Sequence, residues 1–328
     1  MKTVRTMKIL TLNEIAARLK EHDNILVLMH KSPDGDAVGC AYGLCLALRQ
    51  LGKNAMPLCS DAIDKKYGYI TSKLPEQHFE PQYIVTVDIA AAHLIGEEIK
   101  QYRECVDLCI DHHGSNTGFA KEGYVDADSG ACAEIIAKVI ERMGADIDSD
   151  TANAIFTGIS TDTGCFKYSN TTSNTYRIAA DMIDKGADGA YINRIMFDTK
   201  SRARLEVERL ALETMTFFDD GKIAVICLTN KMRELSKATE GDTEGISSLP
   251  RQIEGVKVGI TLNEKDENQF KISARSTGDV DVSKLCARFG GGGHKGAAGC
   301  LIAGTLEEVR EKITAAAIEA VKEISGEV

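Results

Sequence analysis

No stretch of about 18 apolar residues occurs in this chain of 328, which excludes a helix that crosses a membrane. The opening residues, MKTVRTMKIL, run straight into the polar NEIAARLKEHD, so the apolar core of a secretory leader is missing too, and Met7 is a second candidate start. Cysteine is present ten times, but no two residues form a CxxC pair. Scattered singly and without a leader, these cysteines are expected to be reduced thiols in a cytoplasmic protein. Positive charge is the scarce sign. Lys plus Arg number 39 against 49 Asp plus Glu, a net charge of -10, so no global field draws in a long nucleic acid or an anionic membrane. Long duplex nucleic acid and membranes are therefore not expected partners. Internal repeats and low-complexity tracts are absent, and 43% hydrophobic with 27% charged residues is ordinary globular composition. At this length two domains are expected.

Asn24–His30, NILVLMH, is a compact apolar run ended by KSPDGD and predicts a buried strand breaking into a loop. Apolar residues then repeat at helical spacing over Ala37–Leu51 and stop at Gly52. Further strands are predicted at Tyr83–Asp88 and Cys105–Ile110, with enough chain between them for crossovers. The fold class is thus α/β, a mostly parallel, doubly wound sheet. Helical patterning dominates from Ser129 to about Gly186, with Ser129 and Ser149 as caps and Gly144 and Gly186 as stops. Ser201–Phe218 is rich in helix formers and has no Gly or Pro, which predicts one connecting helix. Strands at Lys222–Leu228, Val256–Leu262 and Gln269–Arg275, then helices at Val282–Phe289 and Leu306–Ile324, predict a smaller α/β C-terminal domain. The domains are expected at 1–200 and 220–328, joined by a helix over 201–219.

Three predicted strands end in metal-capable side chains: His30 with Asp34 and Asp36, then Asp88, then Asp111-His112-His113. In open α/β sheets the ligand crevice lies at the carboxyl ends of the strands, so these distant segments can converge. Asp162, in GISTDTG, reaches the same place from a helix end. Any one of these residues alone reads as a turn former or a solvated group. Together they have the composition of a site for two divalent ions: a carboxylate to bridge, further carboxylates to offset charge, and imidazoles to fix geometry. A carboxylate and imidazole set without thiolate suits Mn²⁺ or Mg²⁺ better than a structural zinc, with Zn²⁺ and Co²⁺ still open.

The second domain offers a separate anion site. Gly290–Gly293 are four consecutive glycines, which permit N–H groups to line a concave nest. Between Lys271 and Ala297, five Lys or Arg against two Asp leave a local charge of +3 in a net acidic chain. A flexible turn is the plain alternative for the glycines. His294 directly after them, with Arg275 in SARS, favours phosphate binding.

The motifs HKSPDGDA at His30–Ala37, VD at Val87–Asp88, DHH at Asp111–His113, GISTDTG at Gly158–Gly164 and FGGGGHKGAAG at Phe289–Gly299 together resemble the DHH phosphoesterase family with its associated C-terminal domain. The resemblance runs from about residue 10 to 320 and is strongest to bacterial oligoribonucleases that also dephosphorylate 3′-phosphoadenosine-5′-phosphate. Ser32 and Cys40 depart from the commonest family residues, at positions that hold no ligand. The resemblance implies that His30, Asp34 and Asp88 hold one ion and that Asp36, Asp88, His112 and Asp162 hold the other. It also implies that Asp111 orients a neighbouring imidazole and that His113 faces the scissile phosphate. Arg275, Gly291, Gly292, Gly293 and His294 would hold the substrate's phosphate or base end, and a cleft between the domains would limit its length.

The implied activity is metal-dependent cleavage of short oligoribonucleotides, about two to five nucleotides, to mononucleotides, with removal of the 3′-phosphate of phosphoadenosine phosphate. The implied cofactors are two Mn²⁺ ions, with Mg²⁺ or Co²⁺ as alternatives. The expected partners are short RNA and small nucleotides, with a homodimer left open. A phosphodiesterase of cyclic or linear dinucleotides is the rival enzyme. The glycine run argues against an inorganic pyrophosphatase, and the full ligand set argues against a regulator that only binds nucleotides.

Overall fold

The computed structural model describes residues 7–325 except 267 and 279, so Met1 and the outermost ends of the two expected domains lie outside the described residues. Two compact units meet in sequence at Thr199 and Lys200.

The first unit is built on β1 (Lys8–Ile9), β2 (Ile25–Leu28), β3 (Ala55–Leu58), β4 (Tyr83–Val87), β5 (Leu108–Asp111) and β6 (Glu122–Val125). They lie in the order β1-β6-β5-β4-β2-β3, every pairing parallel. A parallel strand covered on both faces needs no polar alternation, and β2 reads Ile-Leu-Val-Leu, buried throughout. Its helices are α1 (Leu12–Glu21), α2 (Gly35–Gln50), α3 (Gly68–Thr71), α4 (Cys132–Met143), α5 (Ser149–Asp162), α6 (Ser173–Asp184) and α7 (Gly189–Asn193). One face of the sheet packs under α1, α2, α4 and α5 through Ile15, Leu44, Ile136 and Ile155, and the other is closed by Met7, Ile95, Ile99 and Ala120. The strand order reverses after β3, because β4 lies on the far side of β2. The switch point therefore falls between β2 and β4, where open α/β sheets present a crevice.

In the second unit α8 (Arg202–Glu213), β7 (Thr216–Phe218), β8 (Ile223–Leu228), α9 (Asn230–Ser236), β9 (Val258–Asp266), β10 (Gln269–Ser276), α10 (Val282–Ala287), β11 (Gly292–His294), β12 (Ala297–Ala303) and α11 (Leu306–Ser325) follow one another. The sheet order is β11-β12-β10-β9-β8-β7, with only β8 and β9 parallel. Val225, Ile260, Ile272 and Cys300 pack one face against Leu285, Val309 and Ile313 of α10 and α11.

Several elements differ from expectation. The stretch read as one helix over 201–218 is α8 followed by β7, because Thr214 closes the helix by donating its hydroxyl to the Ala211 carbonyl, and Thr216–Phe218 then pair with β8. Ser129 does not cap α4, which begins at Cys132 with no cap of its own side chains. Ser149 is the first residue of α5, and the cap is Asp148, which accepts from the Thr151 N–H at 2.9 Å. Gly144 does end α4, in the left-handed conformation at φ 75°.

Candidate active site

Every candidate ligand of the first unit sits where a strand or helix begins or ends. Asp34 caps α2: its Oδ1 accepts from the N–H groups of Asp36 and Ala37, both at 3.0 Å, at the positive end of the helix. Asp36 is buried, and its Oδ2 accepts from the Cys132 N–H at 2.6 Å while its Oδ1 accepts from the Ala133 N–H at 3.0 Å and the Cys40 thiol at 3.3 Å. Asp36 thus supplies, from another helix, the cap that α4 lacks. Asp88 follows β4 with a left-handed φ of 57°. Its carboxylate lies between His30, which follows β2, and His112, which follows β5.

The imidazoles are fixed by carbonyls. His30 donates from Nδ1 to the Lys31 carbonyl at 2.8 Å, which leaves the Nε2 lone pair 3.7 Å from Asp34 Oδ1 and 3.7 Å from Asp88 Oδ2. His112 donates from Nδ1 to the Ser129 carbonyl at 3.2 Å. Its Nε2 lies 3.5 Å from Asp88 Oδ1, 3.6 Å from Asp162 Oδ2 and 3.9 Å from Asp36 Oδ2. These gaps are too long for hydrogen bonds. They suit donor atoms that share an ion at bonds of about 2.0–2.2 Å. Among the described residues three donor groups converge: His30-Asp34-Asp88, Asp36-His112-Asp162 and Asp88-His112-His113.

The electrostatics fit the same occupant. Burial, then the neighbouring Asp36, pushes Asp88 well above the usual carboxylate range, and burial with Asp162 pushes Asp36 up. Burial raises Asp162 as well. Asp88 Oδ1 is buried with no hydrogen-bond partner. Buried carboxylates that repel one another are costly unless a cation joins them. The orphaned oxygen and the two imidazole Nε2 atoms would give divalent ions the ligands they need.

Asp111 and His113 form a different pair. Asp111 is buried, and its Oδ1 accepts from His113 Nδ1 at 2.7 Å and from the His112 N–H at 2.8 Å, while its Oδ2 accepts from Asn116 Nδ2 at 2.6 Å. Burial works to raise Asp111, but His113 and Asn116 outweigh it and hold the carboxyl low. The same bond raises the His113 imidazole above its ordinary value. The ring that Asp111 orients is therefore that of His113, since the His112 ring is held by Ser129. His113 is half-exposed, with Nε2 left free of the Asp111 bond.

In the second unit Arg275 pairs with Ala297, and Ala297 pairs with His294. Residues directly opposite in an antiparallel sheet share a face, so Arg275 and His294 stand in one row across β10, β12 and β11. Burial, with Arg251 close by, lowers the half-buried Arg275. The glycines do not form the expected nest. The N–H groups of Gly290 and Gly291 donate back to the carbonyls of Ala287 and Cys286, closing α10, and Gly292 and Gly293 run on as the edge strand β11. Gly291 has no room for a side chain, since a Cβ there would stand 2.2 Å from the Gly299 carbonyl oxygen, whereas Gly292 faces open space.

Sequence reasoning missed the groups that hold these side chains: Asn116, which donates to Asp111, the Ser129 carbonyl, which accepts from His112, and the N–H groups of Cys132 and Ala133, which donate to Asp36. Backbone donors and acceptors leave no mark in residue identity. Asn116 does, but only as a polar residue in a loop.

Residues 24–159 match the DHH family N-terminal domain, and residues 221–323 match the DHHA1 domain. Fold and site together define a phosphoesterase, and the chain belongs to the DHH family. It is 31% identical to the bifunctional oligoribonuclease and PAP phosphatase NrnA of Thermus thermophilus, over 89% of this chain and 91% of that protein. The cyclic-di-AMP phosphodiesterase GdpP of Bacillus subtilis is 26% identical over 89% of this chain but only 47% of that protein. Among solved structures, an exopolyphosphatase-related protein from Bacteroides fragilis has a TM-score of 0.81 at 28% identity, covering 95% of this chain and 96% of that one. No described helix is long and apolar enough to cross a membrane.

Proposed function

We propose that this chain is a cytoplasmic oligoribonuclease that cuts RNA fragments of about two to five nucleotides to mononucleotides and also removes the 3′-phosphate of phosphoadenosine phosphate. The observation that carries the reading is Asp88, whose two oxygens face different donor sets, Oδ2 toward His30 and Oδ1 toward His112. His30, Asp34 and Asp88 would hold one divalent ion, and Asp36, Asp88, His112 and Asp162 the other. When bound, such ions, Mn²⁺ first for this donor set, lower the pKa of an attacking water and offset charge on the phosphate. His113, oriented by Asp111, presents Nε2 to the phosphate or the leaving oxygen and carries the proton that oxygen needs. Arg275 and His294 grip the anionic end of the substrate, and the bare backbone at Gly292 lets it come close.

The test is a comparison of rates with Mn²⁺ on end-labelled RNAs from 2 to 24 nucleotides, phosphoadenosine phosphate, cyclic di-AMP and pyrophosphate. Fastest release of mononucleotides from the shortest RNAs, with turnover of phosphoadenosine phosphate, is expected. Preference for cyclic di-AMP would move the chain to dinucleotide signalling, and equal rates on 5-mers and 24-mers would sink the length limit.

A further inference from the structure

The three donors proposed to hold the second ion without the bridge come from three separate elements: Asp36 from α2, His112 from the segment after β5, and Asp162 from the end of α5. All three are tied to one short turn. The Ser129 carbonyl accepts from His112 Nδ1, and the Cys132 and Ala133 N–H groups hold the two oxygens of Asp36. Asp162 is tied through Asn170, whose Nδ2 donates to the Gly130 carbonyl at 2.8 Å and to the Asp162 carbonyl at 3.2 Å. The turn itself is locked. A Cβ at Gly130 would stand 2.8 Å from the Asn170 carbonyl oxygen and 2.8 Å from Glu134 Oε1. Glu134 is fully buried and accepts from Thr175 Oγ1 at 2.6 Å and Asn174 Nδ2 at 2.9 Å, fastening the start of α4 to α6. His30 and Asp34, proposed for the first ion, have no bond to this turn.

We infer that Asn170 is a positioning residue for the second ion, joining Asp162 to the turn that already fixes His112 and Asp36. Its one amide group spans two carbonyls, a task that needs two N–H donors on one nitrogen, and its Oδ1 is buried with no partner. Asn170→Asp keeps the shape but replaces both donors with acceptors facing carbonyl oxygens. This inference rests on the two-ion reading.

The experiment is Mn²⁺ binding to the full chain, by calorimetry and electron paramagnetic resonance, for wild type and N170D, with the melting temperature of the metal-free protein measured alongside. Wild type is expected to take two ions. N170D is expected to lose affinity for one of them by about tenfold to a hundredfold, the range for lost outer-shell partners, while keeping the other. N170A, which removes the donors without adding charge, is read in the same way should N170D not fold. Two ions bound with wild-type affinity by the variants would overturn the inference. So would equal weakening of both ions with a fall in melting temperature, which marks general loosening. Fewer than two ions on the wild type would instead remove the two-ion reading, and this inference with it.

Discussion

Adjacent residues with the same side chain have opposite partners in this site. His112 Nε2 lies between Asp88 and Asp162, whereas His113 is bonded by Asp111 and half-exposed. His112→Ala is expected to weaken Mn²⁺ binding tens of fold and to recover part of its rate with added metal. His113→Ala should keep both ions and run roughly 10²–10⁴ slower at every metal concentration, with the smallest loss on p-nitrophenyl esters, whose leaving group needs no proton. Binding isotherms beside metal-dependent rates decide this, and exchanged behaviour of the two variants reverses the roles. Arg275 is proposed to grip the substrate before the reaction and throughout it. Arg275→Ala should mainly raise KM, and an unchanged KM with kcat lower by orders of magnitude would place the arginine at the transition state.

At the scale of elements, the close crossing of α2, α4 and α5 sets the site. A Cβ at Gly158 would stand 2.6 Å from Asp36 Oδ1 and 2.6 Å from the Ala133 Cβ, while one at Gly39 would stand 2.3 Å from the Ala154 carbonyl oxygen. The first clash meets the side chains of Ala133 and of Asp36, a proposed ligand, and the second meets backbone. Gly158→Ala should therefore impair Mn²⁺ binding more than it lowers stability. Gly39→Ala should force the helices apart, at about 1–3 kcal/mol for overpacking. Thermal melts and metal titrations of both variants check this, and the reverse ranking would refute it. The long apolar runs and periodic helices were legible in the residues, as were the charged groups at strand ends. β1 and β6 were not, being strands of two and four residues held by their neighbours rather than by a pattern of their own. Nor was β3, whose Ala-Met-Pro-Leu has no β-branched residue and whose Pro57 is tolerated because the strand lies at an edge. The glycine run misled for a related reason. Gly290 and Gly291 end a helix, a use that depends on where α10 stops and not on the glycines alone.

For the molecule as a whole, the site couples stability to pH. Asp36, Asp88 and Asp162 are raised in the fold, so it binds their protons more tightly than the unfolded chain does. A raised carboxylate stabilises as pH falls toward its folded value. Burial works against protonation of His30, but Asp34 prevails and raises it, and Asp111 raises His113. Both imidazoles add stability below their unfolded value, lost as pH rises through the folded one. The lowered Asp34 and Asp111 lose their contribution only when pH falls through the ordinary carboxylate range, below this window. Metal-free protein should therefore melt higher at about pH 5.5 than at about pH 8. Saturating Mn²⁺, which needs the ligands deprotonated, should reverse that order. A flat metal-free profile from differential scanning calorimetry would contradict the charge arrangement described.

The parallel sheet also governs when the protein can begin to work as it is made. Lys8 of β1 pairs with Glu122 of β6, 114 residues later, and the last donor, Asp162, lies further on. At translation rates of about 5–20 residues per second, the nascent first strand waits unpaired for many seconds, and Asp162 is polymerised only roughly 8–31 s after Lys8. With the proposed ligand set, ion uptake would be a late event in biosynthesis, reserved for chains whose first unit has been made through Asp162.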